Sequence, residues 1–135
     1  MQRICVEDLQ LTKLSSPDCA LTVVQQNKEL PYAMSRVFFV TAPKGAHRGK
    51  HAHKKLHQFL ICTHGSCEVI CDDGNNKRIF LLNSINIGLH VPPGIWCEQH
   101  SIEDTVLAVL CDQPYDENDY LRDYSAFLDT KKVTA

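Results

Sequence analysis

Hydrophobic and polar positions alternate in short runs through the middle of the chain, which is the pattern of half-buried β-strands. The strands are predicted at residues 36–40, 58–62, 66–71, 78–82, 85–91 and 105–111. Turn-forming residues separate these runs, most clearly at Asp72-Asp73-Gly74-Asn75-Asn76. Asp, Gly and Asn tolerate the positive φ of a tight turn, so this segment predicts a hairpin. Short strands at regular spacing indicate an all-β sandwich or barrel.

The period of the pattern changes only near the C-terminal end. Between Asp116 and Leu128, the apolar residues Leu121, Tyr124 and Leu128 recur at helical spacing after an acidic first turn. We therefore predict a short C-terminal helix on an all-β barrel, in a single domain spanning residues 1–135.

Composition and charge exclude several classes of function. Lys and Arg number 14 and Asp and Glu number 16, so the net charge is −2 and no basic surplus favours nucleic-acid binding. The sequence has neither the apolar run of about 18 residues that spans a membrane nor a signal-peptide pattern, and we expect a cytoplasmic location without membrane association. Seven cysteines without a C-x-x-C motif predict mostly reduced, buried thiols.

Candidate chemistry is concentrated between Gly45 and Gly65. Gly45 is followed after five residues by His51-Ala52-His53, after four more by Gln58, and after six more by Gly65. Residues two apart on a strand point to the same side, so both imidazoles are predicted to enter the barrel. This spacing resembles the first motif of the cupin barrels, in which a Glu stands where this chain has Gln58.

Gly88 together with Pro92-Pro93-Gly94 resembles the second cupin motif. Cys97 stands where those barrels have a further metal-binding His. A neutral Gln holds iron or manganese far less well than a carboxylate. We therefore expect no bound metal and no cofactor. A metal-dependent cupin in which Cys97 supplies a thiolate is an alternative, which stoichiometric metal in the purified protein would favour.

Without a metal, two shielded histidines can transfer protons, because imidazole has a pKa of about 6.5. The neighbouring Arg48 and Lys54 are candidates to bind an anionic group such as a diphosphate, whereas the charges of Lys50 and Lys55 fit a solvated face equally well. Arg36 interrupts an apolar strand and predicts an acidic neighbour or an anionic ligand, because an unpaired buried guanidinium is costly.

Taken together, these segments resemble the sugar nucleotide 3,4-ketoisomerases, small cupins similar to the WxcM-like proteins. The resemblance covers about residues 30–127. It is carried by Arg36-Val37, Arg48-Gly49-Lys50-His51-Ala52-His53-Lys54-Lys55, Gln58, Trp96 with Glu98, and Tyr115-Asp116-Glu117-Asn118-Asp119-Tyr120-Leu121-Arg122-Asp123-Tyr124. The last of these is similar to the family signature Y-D-E-x-D-Y-I-R-x-Y. The resemblance implies a cupin (RmlC-like jelly-roll) barrel in a metal-independent homodimer.

The family implies an isomerase that converts dTDP-4-keto-6-deoxyglucose to a dTDP-3-keto-6-deoxyhexose through a cis-enediolate, in deoxyamino-sugar and polysaccharide biosynthesis. By position, His51 would be the base, and His53 would donate to the enediolate or return a proton. The implied substrate-binding residues are Arg36, Arg48, Lys54, Gln58, Trp96 and Cys97. A non-catalytic sugar-nucleotide binding cupin is a further alternative, and a 3,5-epimerase is disfavoured because no matching His/Asp pair is evident in the sequence.

Two departures from the family pattern affect the expected site. Relatives commonly have R-V-Y-Y where this chain has Arg36-Val37-Phe38-Phe39, so a tyrosine hydroxyl is missing. Relatives also carry a larger basic residue at the position of Cys97. If that residue faces C4 of the sugar, the product could have the gluco or the galacto configuration.

Overall fold

The computed structural model describes residues 5–132, in which β-strands predominate. The strands are β1 (Glu7–Gln10), β2 (Thr12–Ser15), β3 (Ala20–Val23), β4 (Arg36–Ala42), β5 (His47–His53), β6 (Gln58–His64), β7 (Cys67–Asp72), β8 (Lys77–Leu82), β9 (Ile87–Val91), β10 (Trp96–Ser101), β11 (Thr105–Cys111) and β12 (Tyr120–Leu121). A 3₁₀ turn at Glu117–Asp119 precedes β12, and helix α1 (Tyr124–Thr130) follows it.

Two five-stranded antiparallel sheets form the walls of the barrel. The first has the strand order β1-β9-β6-β11-β4 and the second has the order β12-β5-β10-β7-β8. Apolar side chains from both sheets meet between them, among them Leu60 and Leu89 of the first sheet and Val69 and Leu82 of the second, all fully buried. The predicted all-β barrel with a short C-terminal helix is confirmed.

The predicted hairpin is also confirmed, since β7 and β8 pair in register on either side of the turn. The Asp73 carboxylate accepts hydrogen bonds from the backbone N–H groups of Asn75 (2.8 Å) and Asn76 (2.7 Å). Gly74 adopts a φ of 97°, which a residue with a side chain rarely takes. The turn therefore uses the chemistry that its sequence predicts.

The predicted helix over Asp116–Leu128 is wrong in its first half. Only Tyr124–Thr130 is α-helical, with the Asp123 side chain accepting from the Ser125 N–H at its start. The preceding residues instead form the 3₁₀ turn and β12, in which Tyr120 pairs with His53 of β5. Pairing with β5 overrides the helical period, because β12 supplies hydrogen-bond partners to the edge of β5 that β10 leaves open.

Strands β2 and β3 form a separate hairpin whose apolar side chains are exposed. Leu14 and Leu21 are 60% and 57% exposed. On the edge strand β4, Val37 and Phe39 are 44% and 65% exposed, and they lie on the face opposite the barrel interior. Both surfaces therefore leave apolar area uncovered within the single chain.

All seven cysteines are free thiols, and five of them are buried, as the sequence predicts. Among residues 5–132, no helix has the length and apolar character needed to cross a membrane. The single domain over residues 1–135 remains a prediction, and its ends, residues 1–4 and 133–135, lie outside the described residues.

Candidate active site

A β-bulge in β5 shapes the site. His51 pairs with Cys97, and the following residue of β10 pairs with Gly49, so Lys50 is the extra residue. Gly49 and Lys50 have φ values of 87° and 59°, and a Cβ on Gly49 would lie 2.8 Å from the Cys97 carbonyl oxygen. The bulge shifts the alternation of side chains between the two faces of β5. Arg48 and His51, three residues apart, therefore line the same cavity.

The cavity lies between the two sheets and is lined mainly by polar side chains. Its lining residues are Phe38, Val40, Arg48, Gly49, His51, Gln58, Gln99, Tyr120 and Arg122. Strand alternation turns Phe38 toward this cavity and Phe39 to the outside. The hydroxyl that a tyrosine would present at position 38 is therefore missing from the cavity wall.

Three aromatic rings form a compact group beside the cavity. The ring of Tyr120 lies 5.1 Å from that of His51 and 4.4 Å from that of His53, both edge to face. The two imidazoles lie 5.0 Å apart at 80°. As predicted from their spacing, both histidines enter the barrel, but His51 lines the cavity whereas His53 is only 5% exposed.

His53 has a carboxylate partner in Asp119, 66 residues further along the chain. Its Nδ1 lies 3.2 Å from Oδ2 of Asp119, while its Nε2 is buried and has no hydrogen-bond partner among the described residues. No His/Asp pair is evident in the sequence, yet the fold brings His53 and Asp119 together. The carboxylate is separated too far in sequence for spacing to reveal it.

Burial keeps both histidines neutral near pH 7. It lowers the pKa of His51, and the cations of Arg122 and Arg48 lower it further. Burial and the neighbouring His51 lower the pKa of His53 to about 4, although Asp119 opposes that shift. Burial is therefore a larger cause of the lowered His51 pKa than the neighbouring cations are.

This depressed pKa predicts that the fold loses stability as the pH falls from about 6.5 toward 4. Over that range the unfolded chain binds a proton at His53, with a pKa of about 6.5, that the folded chain does not bind. Between pH 7.5 and 5 this single group should lower the free energy of unfolding by about 2 kcal/mol. Urea unfolding of the wild type and His53→Gln at both pH values checks this, and an equal pH dependence in both proteins would contradict it.

Two of the cations beside the cavity differ in how far their charge is neutralised. Arg122 donates to both carboxylate oxygens of Glu117, at 2.7 and 3.0 Å, and Tyr115 donates to the same carboxylate. Arg48 is exposed at the cavity wall and forms no ion pair among the described residues. Arg48 is therefore the better placed of the two for an anionic ligand.

Arg36 meets no carboxylate in the described part of the chain. Its guanidinium lies over the rings of Phe38 (5.2 Å) and Tyr115 (5.7 Å), and its terminal nitrogen lies 3.8 Å from Sγ of Cys111. Its Nε is buried without a hydrogen-bond partner. The sequence predicts either an acidic neighbour or an anionic ligand for Arg36. Because no acidic neighbour is found among the described residues, this arrangement favours an anionic ligand.

Four of the six predicted substrate-binding residues do not line the cavity, and Lys54 and Trp96 are two of these. Lys54 is exposed, and its ammonium donates to the Asn118 carbonyl at 3.1 Å. Trp96 packs with Ala52 and Phe127 on the outer face of the second sheet, beneath α1. Alternation along β5 and β10 explains this, because Ala52 and Trp96 point opposite to the residues that face the barrel. Tyr120 and Phe38 supply the aromatic lining in their place.

Gln58 and Cys97, which replace cupin metal ligands, occupy different environments. Gln58 lines the cavity from β6. Cys97 is buried in the barrel core, where a hydrogen bond with Cys71 and then burial raise its pKa well above the usual range. A protonated thiol is a poor metal ligand. Within residues 5–132, no group of three or more His, Cys, Asp or Glu residues is arranged to hold a metal ion, and metal independence remains a prediction.

Sequence reasoning did not assign three residues that the structure brings to the site. Tyr120, Asp119 and Gln99 contact the histidines or line the cavity. Tyr120 and Asp119 belong to the segment Tyr115–Tyr124, whose similarity to a family signature was the available signal. Interpretation of that segment as a helix concealed their position beside β5.

The chain is similar to known proteins over most of its length. The family described as WxcM-like, C-terminal (FdtA) matches residues 6–132. A curated TDP-4-oxo-6-deoxy-alpha-D-glucose-3,4-oxoisomerase from Aneurinibacillus thermoaerophilus is 44% identical over 110 residues, covering 80% of this chain and 79% of the relative.

Solved structures agree with this assignment. The sugar 3,4-ketoisomerase QdtA from Thermoanaerobacterium thermosaccharolyticum, in complex with TDP, superposes with a TM-score of 0.88 at 33% identity, covering 93% of both chains. The TDP-quinovose 3,4-ketoisomerase WlaRB from Campylobacter jejuni superposes with a TM-score of 0.87 at 34% identity, covering 93% of this chain and 98% of that one. With the family match extending from Val6 to Lys132, this chain belongs to the WxcM-like family.

Proposed function

We propose that this protein is an isomerase that converts TDP-4-keto-6-deoxyglucose, the dTDP-linked sugar, into a TDP-3-keto-6-deoxyhexose. The observation that carries the proposal is a polar cavity walled by the neutral base His51, in a chain 44% identical to a 3,4-oxoisomerase. Relatives named as 3,4-ketoisomerases cover nearly all of the fold, so the whole barrel and not a fragment of it is shared.

The reaction needs only proton transfers. The C4 ketone acidifies the proton on C3, and a neutral imidazole can remove it, leaving an enediolate with its double bond between C3 and C4. The C3 hydroxyl then gives its proton to the C4 oxygen, the imidazolium returns a proton to C4, and C3 becomes the ketone. Oxidation at C3 balances reduction at C4, so no external oxidant or reductant takes part.

The cavity provides a group for each demand of this reaction. His51, which lines the cavity, takes the proton from C3 of the sugar. Arg48, which lines the same cavity, binds the diphosphate. Gln58 and Gln99 offer amide donors to the oxygens of the enediolate, where developing charge is stabilised. Arg36 adds a cation without a carboxylate partner among the described residues, close enough to His53 to lower its pKa.

Product analysis tests the proposed reaction. The protein is incubated with TDP-4-keto-6-deoxyglucose, and ¹³C NMR locates the ketone carbon of the product and the configuration at C4. A ketone at C3 supports the proposal, with a gluco or galacto hydroxyl at C4. A substrate that binds but keeps its ketone at C4 would favour the non-catalytic binding protein.

We further propose that the protein acts as a homodimer whose second copy covers the apolar face of β4 and the β2–β3 hairpin. Val37 and Phe39 of β4 and Leu14 and Leu21 of the hairpin are all exposed in the single chain. An uncovered seven-residue edge strand is also open to pairing with another chain. An isologous interface buries such surfaces on both copies at once.

Substitution on the exposed face of β4 tests the dimer. Wild-type protein should sediment as a dimer at micromolar concentration, and Phe39→Asp should shift it toward monomer, because the new charge would be desolvated at the interface. Ile79→Asp is the matched control, since Ile79 is 58% exposed on β8 of the other sheet. A monomeric wild type would contradict the dimer, and dissociation by Ile79→Asp alone would place the interface on the second sheet.

A further inference from the structure

We propose that Asp119 is a positioning residue that fixes the tautomer of His53, leaving Nε2 as the atom of that ring able to accept a proton. The part of this inference that concerns catalysis rests on the proposed ketoisomerase function. The part that concerns the tautomer rests on the geometry alone.

The carboxylate of Asp119 is held in place by several hydrogen bonds. Oδ1 accepts the backbone N–H of Lys55 at 2.7 Å, and Oδ2 accepts that of Leu56 at 3.2 Å. The Asp119 backbone carbonyl accepts the N–H of Lys54 at 3.0 Å. Asp119 is therefore anchored to the turn directly after β5, and its side chain is only 12% exposed.

This anchoring determines where the proton of His53 resides. An ionised carboxylate only accepts hydrogen bonds, so Nδ1, 3.2 Å from Oδ2, must carry the proton of the neutral ring. Nε2 then holds the lone pair. Nε2 is buried without a partner among the described residues, so none of them competes for its lone pair.

The same contact affects the charged state of His53. Burial and His51 disfavour the imidazolium, whereas Asp119 is the group that favours it. When Nε2 accepts the proton that the C3 hydroxyl gives up on its way to the C4 oxygen, the resulting cation forms a direct ion pair with Asp119. When it returns that proton, the original neutral tautomer is restored, so no net charge is gained over a cycle. Asp119 thus acts through His53 and needs no contact with substrate.

Asp119→Asn tests this with little change in shape. When the amide oxygen keeps the shorter bond, from the N–H of Lys55, the amide N–H faces Nδ1 and favours the opposite tautomer, with the proton on Nε2, and the longer bond from the N–H of Leu56 is lost. Asp112→Asn is the matched control, because the Asp112 carboxylate also accepts a backbone N–H, that of His57 at 2.9 Å, without contacting His51 or His53.

Two readouts separate positioning from a structural effect. Long-range ¹H–¹⁵N NMR of histidine-labelled protein should show His53 as the Nδ1–H tautomer in the wild type and in Asp112→Asn, and as the Nε2–H tautomer in Asp119→Asn. Assignment uses the signals lost in His53→Gln. The kcat of Asp119→Asn should fall at least about tenfold with TDP affinity retained, whereas Asp112→Asn should keep wild-type turnover.

Each outcome decides one part of the proposal. An Nε2–H tautomer in the wild type would overturn it, even if Asp119→Asn failed to fold. Equal kcat values in the two variants, despite a changed tautomer, would overturn the catalytic role. A wild type that shows the expected tautomer but does not isomerise TDP-4-keto-6-deoxyglucose would refute the proposed function and leave the positioning of His53 intact.

Discussion

His51→Asn is expected to lower turnover by at least about 10²-fold while leaving TDP affinity unchanged. A general base contributes about 10²–10⁴ in rate, and asparagine can hydrogen-bond in the same place without taking a proton. His51 lines the cavity and its burial keeps it neutral, so the wild-type side chain has the properties of a base. Steady-state kinetics with calorimetric titration of TDP measures both quantities.

The effect should be specific to the face of β5 that meets the cavity. His47→Asn is a matched control, because His47 lies on the same strand, outside the cavity lining, and stacks on His100 at 4.3 Å. We expect it to retain turnover. Normal turnover in His51→Asn would transfer the base function to His53, and normal turnover in both His51→Asn and His53→Asn would refute the mechanism.

The pH dependence of activity follows from the direction of the pKa shift. Because burial and nearby cations lower the pKa of His51 from its ordinary value, a larger fraction of this base stays deprotonated on acidification than of an exposed imidazole. Activity should therefore decline on acidification only at a pH below the pKa of an exposed imidazole, about 6.5. This is the same direction in which burial lowers the pKa of His53.

Arg48→Ala is expected to weaken TDP binding by about 10- to 150-fold. This corresponds to the loss of one charge-assisted hydrogen bond, about 1.5–3 kcal/mol. Arg48 lines the cavity without an ion-pair partner among the described residues, whereas Glu117 occupies the guanidinium of Arg122. Calorimetric titration with TDP measures the change.

Lys55→Ala is the matched control, because it removes a cation directly after β5, the strand that carries Arg48. Lys55 is exposed and does not line the cavity, so its removal should change TDP affinity by no more than about twofold. If Arg48→Ala bound TDP as tightly as the wild type, the phosphate site would lie elsewhere, with Arg36 or Arg122 as the candidates.

The sequence predicts the histidines correctly because their alternation on a strand is a local property. His51 and His53, two residues apart, both enter the barrel, and Ala52 between them packs outward against Trp96 and Phe127. The same rule, applied to residues 96 and 97, separates Trp96 from Cys97. Which of the two would face the barrel could not be known until the pairing of β10 was seen.

Arg48 is predicted correctly as a site residue, but the structural reason for its position is not visible in the local sequence. Simple alternation places Arg48 and His51, three positions apart, on opposite faces of a strand. The bulge at Gly49 and Lys50 brings both to the cavity. A bulge depends on the partner strand, so single-sequence periodicity does not reveal it.

The position of Asp119, in contrast, could not be predicted from the local sequence pattern. Its segment has a helical period, yet its carboxylate accepts hydrogen bonds from Lys55 and Leu56, more than 60 residues earlier in the chain. Those bonds, with the pairing of Tyr120 and His53, determine the local structure. Long-range contacts of this kind are decided by the closed barrel and not by the segment itself.

Deuterium incorporation is the most direct test of whether His51 removes the proton from C3 of the sugar and returns a proton to C4. TDP-4-keto-6-deoxyglucose is converted in D₂O, and NMR locates deuterium in the product and in recovered substrate. We expect the wild type to form a 3-keto product with deuterium at C4, because the proton on the half-buried His51 imidazolium exchanges with D₂O before it is returned, and we expect His51→Asn to form far less of it. A product that keeps its ketone at C4 with inverted configuration at C3, or a 3-keto product formed at an equal rate by His51→Asn, would contradict it.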